Sequence, residues 1–372
     1  MAAHELYLTD DKGRRLAGPN GQVVLDNIYR GTFNKVTNKC VNCNVRLPIG
    51  YYDLMQEDRM IQYWRQATGG RLALFQSYFI RYWHAHKISD SWVLDVIGLD
   101  PLDLLRRRIV ANYAGTTEAN KTDYADDMMK EIVDEQMVND ASDPAPTWGS
   151  RDWASLSVQG DTGDGPSITR AVTWDNVLES CQDIAEAARS EGTEVFFDVV
   201  PIVGASSISF QFRTKTGQPG ADVSDSVTFD EALGNLWEPS LTYNARVEEN
   251  YIYAGGMGQE DNRDIQQAYN TTRINVSQWN RCEGFAYASY QRTADGVLQS
   301  ANQELNEKRP IEILSGRAVD MRGTRFGVHW NWGDRVTARV LGREFTSIIR
   351  AVTIRLDENG QEHVEPQMEY EP

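Results

Sequence analysis

A chain of 372 residues with 41% apolar side chains is long enough for two or three packed domains and too apolar for intrinsic disorder. Its formal net charge of −17 argues against a direct grip on nucleic acid, which needs clustered Lys and Arg against phosphates. No stretch approaches the length of apolar run that a membrane-spanning helix needs, and the four cysteines are too few for a disulfide scaffold.

The first 13 residues are polar and charged, without the apolar centre of a secretory signal, so synthesis in the cytoplasm is expected. Residues 25–87 read as successive strands. Within 71–83 both odd and even positions carry apolar bulk, so that strand is expected to be covered on both faces, by its own barrel or by a neighbouring subunit. A further strand follows at 92–97. Gly98-Leu-Asp-Pro101 breaks the pattern, and Leu102, Leu105, Ile109 and Val110 recur at helical spacing behind Asp100 as N-cap, with Pro101 first in the helix.

Residues 113–170 hold 12 acidic residues against 4 basic ones and stand apart as an acidic insert. Apolar positions at helical spacing predict a helix over 126–137, and Pro144, Pro146, Gly160, Gly163, Gly165 and Pro166 predict an irregular connection after it. Trp174, Val177, Leu178, Cys181, Ile184, Ala185 and Ala188 form one stripe of a helix that Thr173 caps and Gly192 ends. Strands at 194–200 and 207–214, a turn at 216–220 and further strands over 226–244 complete a small α+β domain. The remainder is β structure with helical interludes at 277–287 and 294–308. Val336, Ala338 and Val340 alternate with polar residues as in a half-buried strand. The adjacent Ile348 and Ile349 break the period and predict a bulge, and Asn359-Gly360 predicts a tight hairpin.

Catalytic signals are absent from this pattern. Cys40-x-x-Cys43 has half of a zinc-site spacing without a second pair, and His84 and His86 share a strand face without a third ligand. These four are the candidate metal ligands, and no metal, cofactor or catalytic residue is expected. Gly255, Gly256 and Gly258 resemble a phosphate-cradling loop, but a polar, acidic stretch follows where a helix should begin, so a turn at a strand end is expected. There is no nucleophile elbow, zincin motif or P-loop. The ten tryptophans are read as core and interface packing, with sugar stacking as the rival use in a glycan-binding or glycan-cleaving protein.

Several stretches, in order, resemble the baseplate hub or tail-tip hub proteins of siphophages. They begin with Trp92-Val-Leu-Asp-Val-Ile-Gly-Leu-Asp-Pro-Leu-Asp-Leu-Leu-Arg-Arg-Arg108, which contains Gly98, Asp100, Leu104, Leu105 and Arg106. Ala125-Asp-Asp-Met-Met-Lys-Glu-Ile-Val133 follows, then the helix and hairpin over 174–212. Leu233-Gly-Asn-Leu236 with Gly234 and Asn235, the strand ending in Gly255-Gly-Met-Gly258 with Arg263 behind it, and Gly333-Asp-Arg-Val336 with Asp334 complete the series.

The resemblance implies a β-rich, multidomain α+β protein. It divides into an N-terminal β-barrel (1–112), the acidic insert (113–170), the small α+β domain (171–245) and a C-terminal β-barrel (246–372). It implies a homotrimer whose barrels form a pseudo-sixfold ring at the tail tip of the virion, around a channel that DNA passes through without sequence-specific binding. Phase-matched to that ring, Phe75, Phe79 and Trp83 become candidate interface residues. The implied partners are the distal tail protein or terminal tube ring, the C-terminal end of the tape-measure protein, and a tip fibre or spike. Residues 358–372 read as a final strand and acidic tail, leaving no place for the peptidase or lysozyme-like domain that some hub proteins append.

Overall fold

The computed structural model describes residues 3–18, 21–22, 24–25, 27–111, 119–139, 150–172, 174–258, 262–289, 291 and 293–370. Six strands of the large sheet come first: β1 (Ala3–Thr9), β2 (Arg30–Val36), β3 (Asn42–Pro48), β4 (Met60–Gln66), β5 (Leu72–Ile88) and β6 (Ser91–Leu99), with a two-residue ladder of Ala17–Gly18 on Gly21–Gln22 after β1. A single helical turn, α1 (Asp103–Arg106), leads to β7 (Ala119–Tyr124), α2 (Ala125–Met137), β8 (Leu156–Val158), β9 (Ser167–Val172) and α3 (Val177–Ser190). Next come β10 (Val195–Val203), β11 (Ile208–Thr216), β12 (Thr228–Asp230) and β13 (Leu236–Asn244). The last part holds β14 (Tyr251–Gly255), β15 (Ile265–Tyr269), α4 (Thr271–Ile274), β16 (Glu283–Tyr287) and α5 (Ala294–Glu307), then β17 (Ile311–Ala318), β18 (Arg335–Val340), β19 (Arg343–Leu356) and β20 (Glu362–Tyr370).

Both ends of the sequence meet in one twelve-stranded sheet, in the order β1-β4-β5-β6-β3-β2-β19-β20-β17-β13, with β18 on β19 and β12 on β18. β19 is the junction. Residues 343–348 pair with β18 and residues 351–356 with β2, while β20 runs along the other side. The register slips between Ile349 and Ala351, which leaves Arg350 as the extra residue where the strand changes partners; this is the bulge expected from the adjacent isoleucines. One apolar core follows the sheet, from Leu6, Leu47 and Tyr63 to Trp330, Ile354 and Met368. The β-rich, multi-sheet architecture matches the expectation, and among the described residues no strand order closes into a ring.

A second core lies under α2 and α3, which pack on the three-stranded sheet β8-β11-β10. The helix of the acidic insert and the helix of the α+β domain therefore bury their apolar stripes in one shared core, to which Phe197, Phe210 and Phe212 also belong. Residues 245–310 form a third body, inserted between β13 and β17, whose facing ends pair at Asn244 and Ile311. Here α5 covers one side of the sheet β15-β14-β16.

Four expectations need correction. The helix expected behind Asp100 is one turn long, because the chain then extends so that the Val110 amide donates to the Asp175 carbonyl; the pairs of Asp103 with Arg106 and Arg107 support only that turn. The α3 cap is Asn176, whose side chain accepts from the Leu178 amide; Trp174 is half-exposed at φ +59°, and Thr173 lies outside the described residues. Residues 283–287 form a strand, in which Phe285 and Tyr287 point one way and Ala286 the other, a period of two that overrides the helical reading. Within the connection expected to be irregular up to residue 170, residues 156–158 form β8 and residues 167–170 belong to β9, which pairs with β7.

Residues 76–80 of β5 are buried on both faces by the chain itself, whereas Leu72, Tyr82 and Ile88 are exposed. Bulges at Phe75 and Arg81 shift its register, so Phe75 and Trp83 pack on the first core while Phe79 faces the second, 5.4 Å from the Phe210 ring. The continuous apolar run was a true sign of two-sided burial.

Candidate assembly surface

The motif glycines and polar residues turn out to build junctions. At Gly98, in β6, a Cβ would approach Tyr78 Cβ to 2.7 Å and Cys43 Sγ to 3.0 Å, so only hydrogen fits between the strands. Two residues on, Asp100 is buried beside the Cys40 thiol. Burial, and then the nearby Asp198 carboxylate, push its pKa up to about 8, so the carboxyl is largely neutral at pH 7. Leu104 and Leu105 enter the second core, and Arg106 is bound to Asp103.

The neutral Asp100 has a testable consequence. An unfolded Asp titrates at about pH 4, so between that value and about 8 the folded chain retains a proton that the unfolded chain loses. Stability contributed by this group therefore falls as pH rises through that window and levels off above it. Asp100→Asn is expected to flatten that part of the profile, measured as denaturation midpoints at pH 5 and pH 8. Parallel profiles for the two proteins would mean that Asp100 is ionised in the fold.

Asn235 carries hydrogen bonding across a gap between strands. Its side-chain amide donates to Thr228 O at 2.7 Å and its carbonyl accepts from the Asp230 amide at 2.8 Å, so β12 is joined to the start of β13 without a backbone ladder. Gly234 precedes it at φ +74°, in the left-handed region where a side chain would be strained. Gly333, at φ +84°, donates to Ile349 O and accepts from the Gly220 amide, while Asp334 accepts from the Ala221 and Asn331 amides, each at 2.7 Å. The Gly-Asp pair thus clamps the 219–221 turn to β18 and β19.

The glycines of 255–258 are not an anion cradle. The Gly256 and Met257 amides already donate to Asp264 O and Gln291 O. Gly255 makes room for the Phe285 ring and the Arg263 side chain, and Gly256 for Val297 of α5; Arg263 in turn donates to Gly258 O.

The candidate metal ligands are spread apart. Cys43 lies in the first core and Cys40 against the second, and burial pushes the Cys43 thiol up to about 12. His84 and His86 stack 4.9 Å apart, but the carboxylate nearest them, Asp95, is held by two hydrogen bonds from Arg46 at 2.7 and 2.8 Å. Among the described residues no three His, Cys, Asp or Glu side chains converge as a metal site, and no helix is long and apolar enough to cross a membrane.

What sequence reasoning missed is an aromatic face on the inserted body. The register of β15-β14-β16 places Tyr269, Tyr251 and Glu283 in one row, Gln267, Tyr253 and Phe285 in the next, and Ile265, Gly255 and Tyr287 in the third. This is the side opposite α5. The alternation of Tyr251 with Tyr253, and of Phe285 with Tyr287, was its signal in the sequence.

Solved structures share this fold over nearly the whole chain. A 43 kDa tail protein of prophage MuSo2 from Shewanella oneidensis superimposes with a TM-score of 0.60 at 10% identity, over 98% of each chain. A tail protein from Neisseria meningitidis MC58 gives 0.58 at 10% identity, over 99% of this chain and 97% of the other. The lidded PdpA-VgrG complex of Francisella gives 0.51 at 10% identity, covering 99% of this chain and 52% of that one. No curated protein matches the sequence. The model of the siphovirus ReqiPepy6 Gp37-like protein family matches residues 20–368. Because that match spans nearly its full length, the chain belongs to the siphovirus ReqiPepy6 Gp37-like protein family.

Proposed function

We propose that the chain is a non-enzymatic tail-tip or baseplate hub, three copies of which form a ring that closes or extends the tail tube. The observation that carries this reading is the division of the large sheet at β19. Six strands, β1 to β6, lie on one side of the switch at Arg350, and β12, β13, β17, β18, β19 and β20 on the other. Each set has a means of curling towards closure. The Leu25 amide donates to Leu6 O beside β1 on one side, and Asn235 links β12 to β13 on the other. Two barrel-like units per chain, in three copies, match a sixfold tube to a threefold tip.

In that ring the excess of acid over base, −17 per chain, keeps DNA from adhering as it passes. The distal tail protein or terminal tube ring, the tape-measure end and a tip fibre or spike are its neighbours in this reading. Light scattering and negative-stain images of the purified protein test it, with a threefold ring of about three chain masses expected. Stable monomers, both alone and with the cognate tail proteins, would refute it.

A further inference from the structure

The inserted body inverts the usual placement of large and small side chains. Its interior is Ile252, Ala254, Ala268, Ala286, Ala288, Val297 and Ala301, so five of seven core residues are alanine. Its outward sheet face carries Tyr251, Tyr253, Tyr269, Phe285 and Tyr287, with Tyr269 52%, Phe285 40% and Tyr287 81% exposed. At about 200 Å² per aromatic side chain, those three alone leave roughly 350 Å² of ring surface in water, comparable to the largest apolar patch of a typical monomer. A body stable in isolation would bury its rings and expose its alanines.

The rings are also ordered before any partner arrives. Tyr251 stacks on Tyr269 with centroids 5.2 Å apart and planes 10° from parallel, and the Arg281 guanidinium lies 3.9 Å from the Tyr251 centroid. Phe285 sits over Gly255, and Tyr287 meets Phe285 edge to face at 4.9 Å. Arg281 near Tyr251 and the Tyr251–Tyr269 stack take up ring surface of those two tyrosines that a sugar would use, which leaves Tyr287 as the open ring of the face. Little side-chain freedom remains to be lost on binding, a property of protein interfaces rich in tyrosine.

Charge identifies the occupant. Two copies of a −17 chain repel wherever their acidic surfaces meet. Residues 245–310 hold 9 acidic and 7 basic residues, close to balance, and the one charged residue in the three rows, Glu283, is paired with Arg281 at 2.7 Å. The face is thus one where like-charged copies can meet without a carboxylate left unpaired. We propose that it is buried against a second copy of this chain and supplies the aromatic centre of the contact between neighbours in the ring. The inference rests on the trimeric reading above and adds the surface.

The test compares wild type with Tyr269→Ser/Tyr287→Ser by sedimentation velocity across a concentration series, with thermal unfolding as the control for folding. In parallel, p-benzoylphenylalanine at position 287 is photolysed in the purified protein and in assembled tails. Wild-type trimers, at least about 100-fold weaker association of the folded double variant, and a cross-linked band at twice the chain mass are expected. A trimeric wild type with an equally trimeric variant would overturn the surface while leaving the ring intact. A wild type that stays monomeric at every concentration and in assembled tails overturns both. A cross-link only to another tail protein, or binding to a glycan array that the double variant loses, would overturn the choice of occupant.

Discussion

Lys130→Met is expected to destabilise the protein by about 3–5 kcal/mol, the usual consequence of leaving a buried charge without its partner. Lys130 is 1% exposed, in the middle of α2, and its ammonium lies 3.0 Å from Asp126 and 2.8 Å from Asp127 and donates to Thr162 Oγ1. Asp127 also accepts from the Thr162 and Gly163 amides, both at 2.9 Å, so the cluster fastens the 160–165 loop over the helix. Burial alone would raise the Asp127 pKa, but Lys130 and those amides hold it below the usual carboxylate range; burial would lower that of Lys130, but the two aspartates raise it.

The signs fix the pH window. The depressed carboxylate stabilises above its unfolded value of about 4, an effect lost as pH falls, and the raised ammonium stabilises below its unfolded value of about 10.4, an effect lost as pH rises. The deficit of the variant should therefore be full at neutral pH, in urea titrations followed by circular dichroism. Lys130→Met/Asp126→Met is expected to regain about half of the loss, since it removes one of the two stranded carboxylates while Asp127 keeps the Thr162 and Gly163 amides. A single variant within about 1 kcal/mol of wild type would show that water reaches this ammonium.

That cluster marks the limit of what local sequence discloses. Asp126 and Asp127 stand four and three residues before Lys130, a spacing that on an exposed helix gives only a weak surface ion pair. It is buried because residues 160–165, more than thirty positions away, land on it. The same reasoning separates the other successes and failures. Val336, Ala338 and Val340 disclosed β18 because a half-buried strand repeats every two residues, and the adjacent isoleucines disclosed the bulge for the same reason. The α3 stripe was legible too, but its cap was not, because Asn176 is one of several polar residues at that boundary and only the turn at Trp174 selects it.

Long-range choices were silent. Cys40 and Cys43 look like a pair until the fold sends them to different cores. The two-sided burial at the centre of β5, residues 76–80, was legible in the apolar run of 71–83, yet nothing in that segment said that Phe210 would be the cover for Phe79. Which side of the aromatic strands faces inward was silent too: only the register and the packing of α5 make Ala254, Ala268 and Ala286 the inward set. A functional surface is where the local rule that large rings go inward is expected to fail.

Arg350 joins the two largest bodies, and its removal should show how tightly they are coupled. Because it is the bulge residue of β19, its side chain leaves the sheet and reaches Glu194, beside β10, through hydrogen bonds of 2.6 and 2.7 Å. Glu194 also meets Arg189 of α3 at 3.0 Å, and Glu369 of β20 accepts from Arg189 and from Arg309 at 3.0 and 2.8 Å, with Arg350 3.3 Å away. Burial would raise the Glu369 pKa, but Arg350, Arg189 and Arg309 hold it low. Its contribution is therefore present above an unfolded value of about 4.3 and is lost as pH falls.

Arg350→Met is expected to cost about 2–3 kcal/mol, less than Lys130→Met, because Arg189 and Arg309 remain to hold the two glutamates. A double-mutant cycle with Glu194→Gln should give a coupling of at least about 1 kcal/mol at pH 7, shrinking as the carboxylates protonate towards pH 3. Additive effects at pH 7 would mean that the Arg350–Glu194 pair does not couple the bodies, leaving that to their other contacts, such as Arg189 with Glu369. Coupling that survives to pH 3 would mean that Arg350 acts through packing, on Phe196 5.2 Å from its guanidinium, more than through charge.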